Sequence, residues 1–266
     1  MTKLEKLIHW FSDKGPTMVA LSGGVDSALV AYAAYRALGD SAIAATADYK
    51  TLSQEELETA KIICKDIGIK QILVNYNELE NENFVQNDKT RCFHCRTELA
   101  EHLIDLAQKN NISTIVDGTN ISDLGDYRPG IQALHDNSIR SPLVETEYTK
   151  DDVRREAKLA KLSVYDKPSN SCLASRIPWG QRVTAEKLMR IELGETFVKN
   201  TTNAKQVRVR DMHGVAKIEV EPETVQKISD KNVLNQLNSQ LQLIGFKSVV
   251  IDPEGYQPGK INVIVD

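Results

Sequence analysis

Apolar residues recur at Leu4, Leu7, Ile8 and Phe11, a spacing that gathers them on one face of an opening helix. The short apolar run 17–21 then reads as a buried strand, followed at once by Ser22-Gly23-Gly24-Val25-Asp26-Ser27. Residues 28–38 are rich in alanine and leucine, with Gly39 placed as a helix stop. A second strand is predicted over 41–46. Ser53 with Glu56 three residues on predicts a capping box, heading a helix that runs to Gly68. A third strand follows at 71–75. The polar stretch 76–90 leads into Arg91-Cys92-Phe93-His94-Cys95 and a helix with Leu99, Leu103 and Leu106 inward. A fourth strand, 113–116, ends in Asp117-Gly118-Thr119-Asn120. Thr149 and Asp152 predict another capping box, on a helix reaching about Leu162. The irregular segment 163–180 holds Cys172 and Arg176, and loops of that length in compact domains are commonly functional.

Strands alternating with helices predict an α/β fold with a parallel, doubly wound sheet, whose strands are nearly continuous apolar runs because helices cover both faces. From Thr184 the pattern changes. A helix (Leu188, Ile191, Phe197) precedes strands at 206–210 and 215–220 joined at His213-Gly214. A helix through Val233, Leu237 and Leu241 stops at Gly245, and strands follow at 247–251 and 261–265. That order suits a second, smaller α+β domain with an antiparallel sheet. The boundary is expected near Pro178-Trp179-Gly180, giving domains 1–178 and 179–266.

The length, 266 residues, agrees with two modest domains at roughly 150 residues each. Lys+Arg 33 against Asp+Glu 37 leaves a net charge of −4, which argues against bulk nucleic-acid binding. No apolar run approaches the roughly 18 residues of a membrane span, so no membrane partner is expected. The first ten residues interleave charges with apolar positions, unlike a signal or transit peptide. With four cysteines and no leader, the expected location is the reducing cytoplasm, where closely spaced thiols bind metal or do chemistry.

The glycine string carries the first candidate chemistry. Two glycines let the backbone turn sharply and present several N–H groups to an anion, and the following helix adds its positive end. Asp26 would repel a bare phosphate, so its presence implies Mg²⁺ shared between carboxylate and phosphates. Ser22 and Ser27 supply hydroxyls. No lysine closes the loop, which sets it apart from the Walker A pattern. Ligands of open α/β sheets bind beyond the carboxyl ends of strands, where Ser22, Thr46, Tyr76 and Asp117 are expected. Ser22, Gly23, Gly24, Asp26, Ser27, Thr46 and Gly118 therefore make the phosphate-site candidates, and because the loop resembles the PP-loop of ATP pyrophosphatases, the resemblance implies that the phosphates are those of ATP.

Cys92 and Cys95 are spaced so that both thiolates can face one metal or cluster. A zinc half-site completed by His94 or Cys172, or two half-buried thiols, are the plainer readings. Together with Cys172 they would instead supply three thiolates to a 4Fe–4S cluster with one iron left to carry an extra sulfide. Alternatively, Cys172 alone is the sulfur source. Arg91, Arg96 and Arg176 would favour the thiolate form. Cys64, in a helical pattern with Ile62, Ile63 and Ile67, reads as core.

The strings Ser22–Ser27, Asp117-Gly118-Thr119-Asn120, Asp126-Tyr127-Arg128-Pro129-Gly130, Ser171-Cys172-Leu173-Ala174-Ser175-Arg176-Ile177-Pro178 and Val207-Arg208-Val209-Arg210 resemble the LarE family over nearly the whole chain. The resemblance implies a PP-loop (adenine nucleotide alpha hydrolase-like) domain followed by a small C-terminal domain for substrate binding and oligomerisation. It implies a cytoplasmic ATP-dependent sulfurtransferase of nickel-pincer nucleotide biosynthesis. ATP adenylates a carboxylate of pyridinium-3,5-biscarboxylate mononucleotide, and sulfur displaces AMP to give a thiocarboxylate. By the same resemblance Cys172 is the sulfur-donating cysteine; Cys92, Cys95 and Arg176 join it as catalytic candidates on the thiol reading above. Arg208 and Arg210, which share one strand face, bind substrate with Glu195. The implied cofactors are ATP and Mg²⁺, to which the three-cysteine reading adds a 4Fe–4S cluster; the expected partners are the nucleotide substrate, further copies of the chain and a sulfur-donor protein. The Cys92–Cys95 pair departs from the single-cysteine form of the family, whose cysteine is converted to dehydroalanine. The competing readings are another PP-loop adenylating enzyme (a tRNA thiolase or an NAD synthetase-like amidotransferase) and a non-catalytic nucleotide-binding module.

Overall fold

A computed structural model describes residues 1–125 and 129–257. Asp126, Tyr127 and Arg128, and the strand expected at 261–265, lie outside the described residues. In chain order the elements are α1 (Lys3–Phe11), β1 (Thr17–Ala20), α2 (Val25–Leu38), β2 (Ala42–Asp48), α3 (Gln54–Ile67), β3 (Lys70–Asn75), α4 (Glu82–Val85), α5 (Arg91–Lys109), β4 (Thr114–Val116), α6 (Pro129–Asp136), α7 (Pro142–Glu145), α8 (Lys150–Leu159), α9 (Ala185–Thr202), β5 (Val207–Met212), β6 (Val215–Val220), α10 (Pro222–Ile228), α11 (Lys231–Leu243) and β7 (Ser248–Ile251). Among the described residues no helix is long and apolar enough to cross a membrane.

Two compact units divide the chain. One is Met1–Glu78 with Thr90–Asn170; the other takes in Leu79–Lys89 and the chain from Ser171 onward. The division therefore falls between Asn170 and Ser171 rather than at 178/179, and it reassigns the stretch 79–89. Asn87 shows why that stretch belongs with the later chain. Its side-chain amide donates to the carbonyls of Pro178 (2.8 Å) and Gln181 (2.7 Å), partners distant in sequence.

The first unit is α/β. Its sheet has the order β3-β2-β1-β4, all parallel. Successive residues of β1 serve opposite faces: Val19 joins a core with α1, α2, α3 and α8, while Met18 joins one with α5 and Leu134 of α6. Helices thus cover both faces, as the apolar strands demanded. Gly39 and Gly68 end their helices at positive φ (55° and 86°). The box expected at Ser53 is only half made. Ser53 accepts from the Glu56 N–H (3.3 Å), but the Glu56 carboxylate is drawn elsewhere.

In the second unit β5 and β6 form an antiparallel hairpin, with His213 and Gly214 both at positive φ in the turn. β7 pairs parallel to β6, which corrects the expected antiparallel sheet to a mixed one. The reason is the connection: α10 and α11 carry the chain back across the sheet, and a return by crossover makes neighbouring strands parallel.

Candidate functional site

The glycine loop joins β1 to α2. Leu21 still donates to Ala45 O (2.8 Å), so the strand ladder runs to the edge of the loop. Gly23 then turns at φ 82°, and a Cβ there would lie 2.6 Å from Glu56 O, so only glycine fits the approach. Gly24 is the N-cap of α2 and gives it no side-chain cap. The opening amides of that helix are therefore left to a ligand or water. Ser27 braces the turn: its Oγ accepts from Ser22 N–H (3.2 Å) and donates to Gly24 O (3.2 Å). From the far side, Gly118 brings the end of β4 onto the same helix turn, where a Cβ would meet Ser27 N at 2.7 Å.

Charged groups surround this loop. Asp26 in the first turn of α2 pairs with Lys150 and accepts from Asn120 Nδ2 (3.0 Å). Lys167 donates to Glu56 Oε2 (2.9 Å) and to Gly23 O (3.3 Å), and Asn170 donates to Glu56 Oε1 (2.9 Å). Sequence reasoning missed Lys150, Lys167 and Asn170, gave Glu56 only a capping role and quoted Asn120 only within its string. The partners they hold are far off in the chain, and no local pattern announces such pairs. Thr46 is wholly buried within β2, which runs on to Asp48, and its hydroxyl accepts from Gln71 Nε2 (2.9 Å). Asp117, just past β4, accepts from Ser141 Oγ (2.7 Å) and Thr119 N–H (3.2 Å); burial pushes its carboxyl upward against those bonds.

Beyond the ends of β1 and β2 lies an open cleft, walled by Leu21, Ala45, Tyr49 and Leu99 and edged by Ser22 and Arg96. Apolar walls with a hydroxyl and a guanidinium at the rim suit a flat ring bearing an anionic tail. Tyr76 and Glu78 follow β3. The Tyr76 ring stacks on His102 (centroids 4.4 Å) and leans on Tyr49 (5.5 Å). Glu78 is wholly buried, and Thr51 flanks its carboxyl without an aligned hydrogen bond. Burial pushes Glu78 up to about 7, with Thr51 and Arg96 opposing the shift and Glu98 adding to it.

Cys92 and Cys95 lie in the first turns of α5, Cys92 exposed and Cys95 half-buried. The buried Arg91 places Nη2 3.8 Å from the Cys92 sulfur. Gly130 on α6 faces this turn closely: a Cβ would stand 2.8 Å from Arg96 Cγ and 3.2 Å from Cys92 O. Two thiols one turn apart fit two thiolate corners of a metal site or cluster. Among the described residues no group of three or more His, Cys, Asp and Glu is gathered as metal ligands. Cys64 is buried on α3, and burial pushes its thiol up to about 12.

The remaining candidates belong to the second unit. Cys172 caps a short 3₁₀ turn, Leu173–Arg176. Arg176 is wholly buried and donates through Nη1 to Ser171 O (2.6 Å) and Cys172 O (3.1 Å), shaping the cysteine's own backbone. It also makes a two-pronged bond to Glu195, which accepts in addition from Val209 N–H (3.1 Å). Arg208 and Arg210 share a face of β5, as the alternation predicts, but that face is buried. Arg210 is bonded to Glu219 (Nη2, 2.8 Å) and Ser175 O (3.0 Å). Arg208 stands over the Tyr256 ring at 5.2 Å, and its guanidinium is lowered to about 10, by burial first and the nearby Arg176 second. A buried cation held down in this way gains from an arriving anion.

A parallel sheet whose first strand opens through a glycine loop into an uncapped helix is the arrangement of a phosphate-binding α/β protein, the class to which PP-loop proteins belong. Comparison with known proteins agrees and narrows it. The NAD synthase family model matches residues 5–113. An uncharacterised protein of Synechocystis is 42% identical over 264 residues, 99% of this chain and 98% of its own. The pyridinium-3,5-bisthiocarboxylic acid mononucleotide synthase of Lactiplantibacillus plantarum is 30% identical over 263 residues, 98% of this chain and 94% of its own. An NH₃-dependent NAD⁺ synthetase of Chlorobaculum tepidum is 38% identical over 71 residues, 26% of each chain. The likeness to the synthase runs end to end, whereas that to the synthetase stays within a quarter of the chain. The chain belongs to the LarE family, the ATP-dependent sulfurtransferases of the PP-loop class.

Proposed function

We propose that this enzyme uses ATP to adenylate a carboxylate of pyridinium-3,5-biscarboxylate mononucleotide and exchanges the AMP for sulfur, giving the thiocarboxylate needed for a nickel-pincer nucleotide. The observation that carries this reading is the uncapped opening of α2, whose amides stand beside Asp26. The polyphosphate of ATP lies against Ser22, Gly23, Gly24 and Ser27, Gly118 sets the depth of the loop, and Thr46 supports the floor. Lys167 adds a cation from above Gly23. Asp26 fits one Mg²⁺, whose chemistry is to bridge and neutralise phosphate oxygens.

The substrate carboxylate attacks the α-phosphorus, pyrophosphate leaves, and an acyl-adenylate forms. Carboxylate oxygen is a poor leaving group and AMP a good one, so a sulfur nucleophile then attacks the acyl carbon and AMP departs with its bonding pair. Arg208 takes the phosphate or second carboxylate of the substrate, while Arg210 and Glu195 fix the strand that presents it. Arg176 holds the backbone of Cys172.

Sulfur reaches the acyl carbon in one of two ways. Cys172 supplies its own sulfur: after the C–S bond forms, loss of its α-proton breaks the Cβ–S bond and leaves dehydroalanine. Alternatively Cys92, Cys95 and Cys172 hold a 4Fe–4S cluster, whose chemistry is to carry an extra sulfide on an open iron. We assign adenylation to the first domain and substrate binding and self-association to the second, place the enzyme in the cytoplasm, and take a sulfur-donor protein as a further partner.

A second reading has one specific support, the NAD synthase match at 5–113: ammonia in place of sulfur, giving an amide. One experiment separates the two. The protein is incubated with ATP, Mg²⁺, ammonium and the biscarboxylate mononucleotide, and small molecules and protein are both weighed, an amide product marking the second reading. AMP, pyrophosphate and a product with oxygen replaced by sulfur are expected. Loss of H₂S from Cys172 marks the sacrificial route, and an intact cysteine the relayed one. Absence of AMP and pyrophosphate would overturn the reading.

A further inference from the structure

Asp26 is the acidic side chain of the glycine loop, and both its oxygens are engaged. Oδ1 accepts from Asn120 Nδ2 at 3.0 Å, and Oδ2 carries the ammonium of Lys150. The lysine is not there by chance of a flexible surface. It opens α8 directly after its N-cap, Thr149, which is locked by a reciprocal bond with Asp152. Its own backbone N–H donates to Ser122 Oγ (3.1 Å), and Ser122 N–H in turn donates to Asn120 Oδ1 (2.9 Å). Asn120, Ser122, Lys150 and Asp26 thus close a ring of contacts around one carboxylate. A cation in the first helical turn sits at the positive end of the helix dipole, a place that disfavours it. Asp26 supplies the compensating charge.

We propose that Lys150 is a built-in counter-ion for the glycine loop, holding the carboxylate edge of Asp26 until a divalent cation arrives with a polyphosphate and then pairing with the phosphate oxygens. The inference rests on the ATP-binding reading above and adds an order of events to it. An ammonium and a divalent cation on one carboxylate edge repel each other, so one must leave. Asn120 is neutral and can stay. Lys150 has a flexible four-carbon stem, and the pair is partly solvent-exposed (30% and 21% of the side chains), so exchange needs no unfolding. Lys167, a second cation near the loop among the described residues, is held by Glu56 and Gly23 O. The metal should therefore enter with the nucleotide, and the nucleotide-free protein should take up free divalent cation poorly.

The test is Mn²⁺ binding to nucleotide-free protein, read from the free-ion electron paramagnetic resonance signal. K150Q should bind Mn²⁺ about tenfold tighter than wild type or more, K150M should repeat that gain, K150R should remain as weak as wild type, and D26N should lose the site. In metal-free solution K150Q should bind ATP several-fold more weakly. Equal Mn²⁺ affinity in K150Q, K150M and wild type would overturn the proposal. Pyrophosphate release by wild type is measured alongside: tightened Mn²⁺ binding without pyrophosphate keeps the counter-ion and discards adenylation, while pyrophosphate with unchanged Mn²⁺ affinity does the reverse.

Discussion

Arg176 and Glu195 meet edge to edge, Nε on Oε1 at 2.7 Å and Nη2 on Oε2 at 3.0 Å, with the guanidinium wholly buried. Because Glu195 also accepts from Val209, the pair ties the Cys172 turn to α9 and β5. Removing one partner of a buried pair strands the other's charge, at a cost of roughly 3–5 kcal/mol. E195A should lower the urea midpoint accordingly, and E195Q, which keeps an acceptor oxygen, should lower it less. A midpoint within error of wild type for E195A would show that the pair contributes nothing to folding.

Glu78 predicts a pH dependence. Its folded pKa is raised by burial from 4.5 to about 7. Between those values the folded chain keeps a proton that the unfolded chain has released, so stability falls as pH rises through that window. The loss is up to about 3 kcal/mol. E78Q should flatten the difference between unfolding midpoints at pH 5 and pH 8. If the two proteins lose stability in parallel across that range, Glu78 is not the source.

At Gly118 an added methyl would strike the backbone of Ser27. G118A should move the end of β4 off the opening turn of α2 and cut ATP-dependent AMP formation by about 100-fold, since small displacements of a binding loop are that costly. G125A, whose Cβ meets nothing within 4 Å, is the matched control. Equal rates for the two variants would refute the argument from close approach.

The thiols should separate by reactivity. With Cys64 pushed up to about 12 by burial, its thiolate at pH 8 is scarcer than an ordinary thiol's by on the order of 10³. Brief alkylation of the folded, iron-free protein should mark the exposed Cys92 and spare Cys64 until denaturant is added. Peptide mass mapping reads this directly, and early labelling of Cys64 would contradict its burial.

How much of this was legible beforehand depends on range. Helix starts and stops at Ser53, Thr149, Gly39 and Gly68 follow from neighbours in the chain, and so does the alternation that puts Arg208 and Arg210 on one face. What eluded the sequence is settled across long separations. Glu56 abandons its capping role for Lys167 and Asn170. Asp26 finds Lys150, and residues 79–89 pack with the chain beyond 170 through Asn87. α10 was missed because seven residues give too little periodicity, although Pro222 at its first turn is a start signal. The LarE strings named the candidate residues; which charges already pair around Asp26 follows from the coordinates.

The bare beginning of α2 has a thermodynamic corollary. A helix whose first turn lacks a cap frays there, and its amides exchange with solvent faster than those one turn further in. Ala28, Leu29 and Val30 of that same helix are fully buried. Whatever anion quiets the fraying end thereby shores up the whole hydrophobic interior, so occupancy and melting temperature should rise together. Slowed deuterium uptake at Val25 and Asp26 in saturating nucleotide would record both at once.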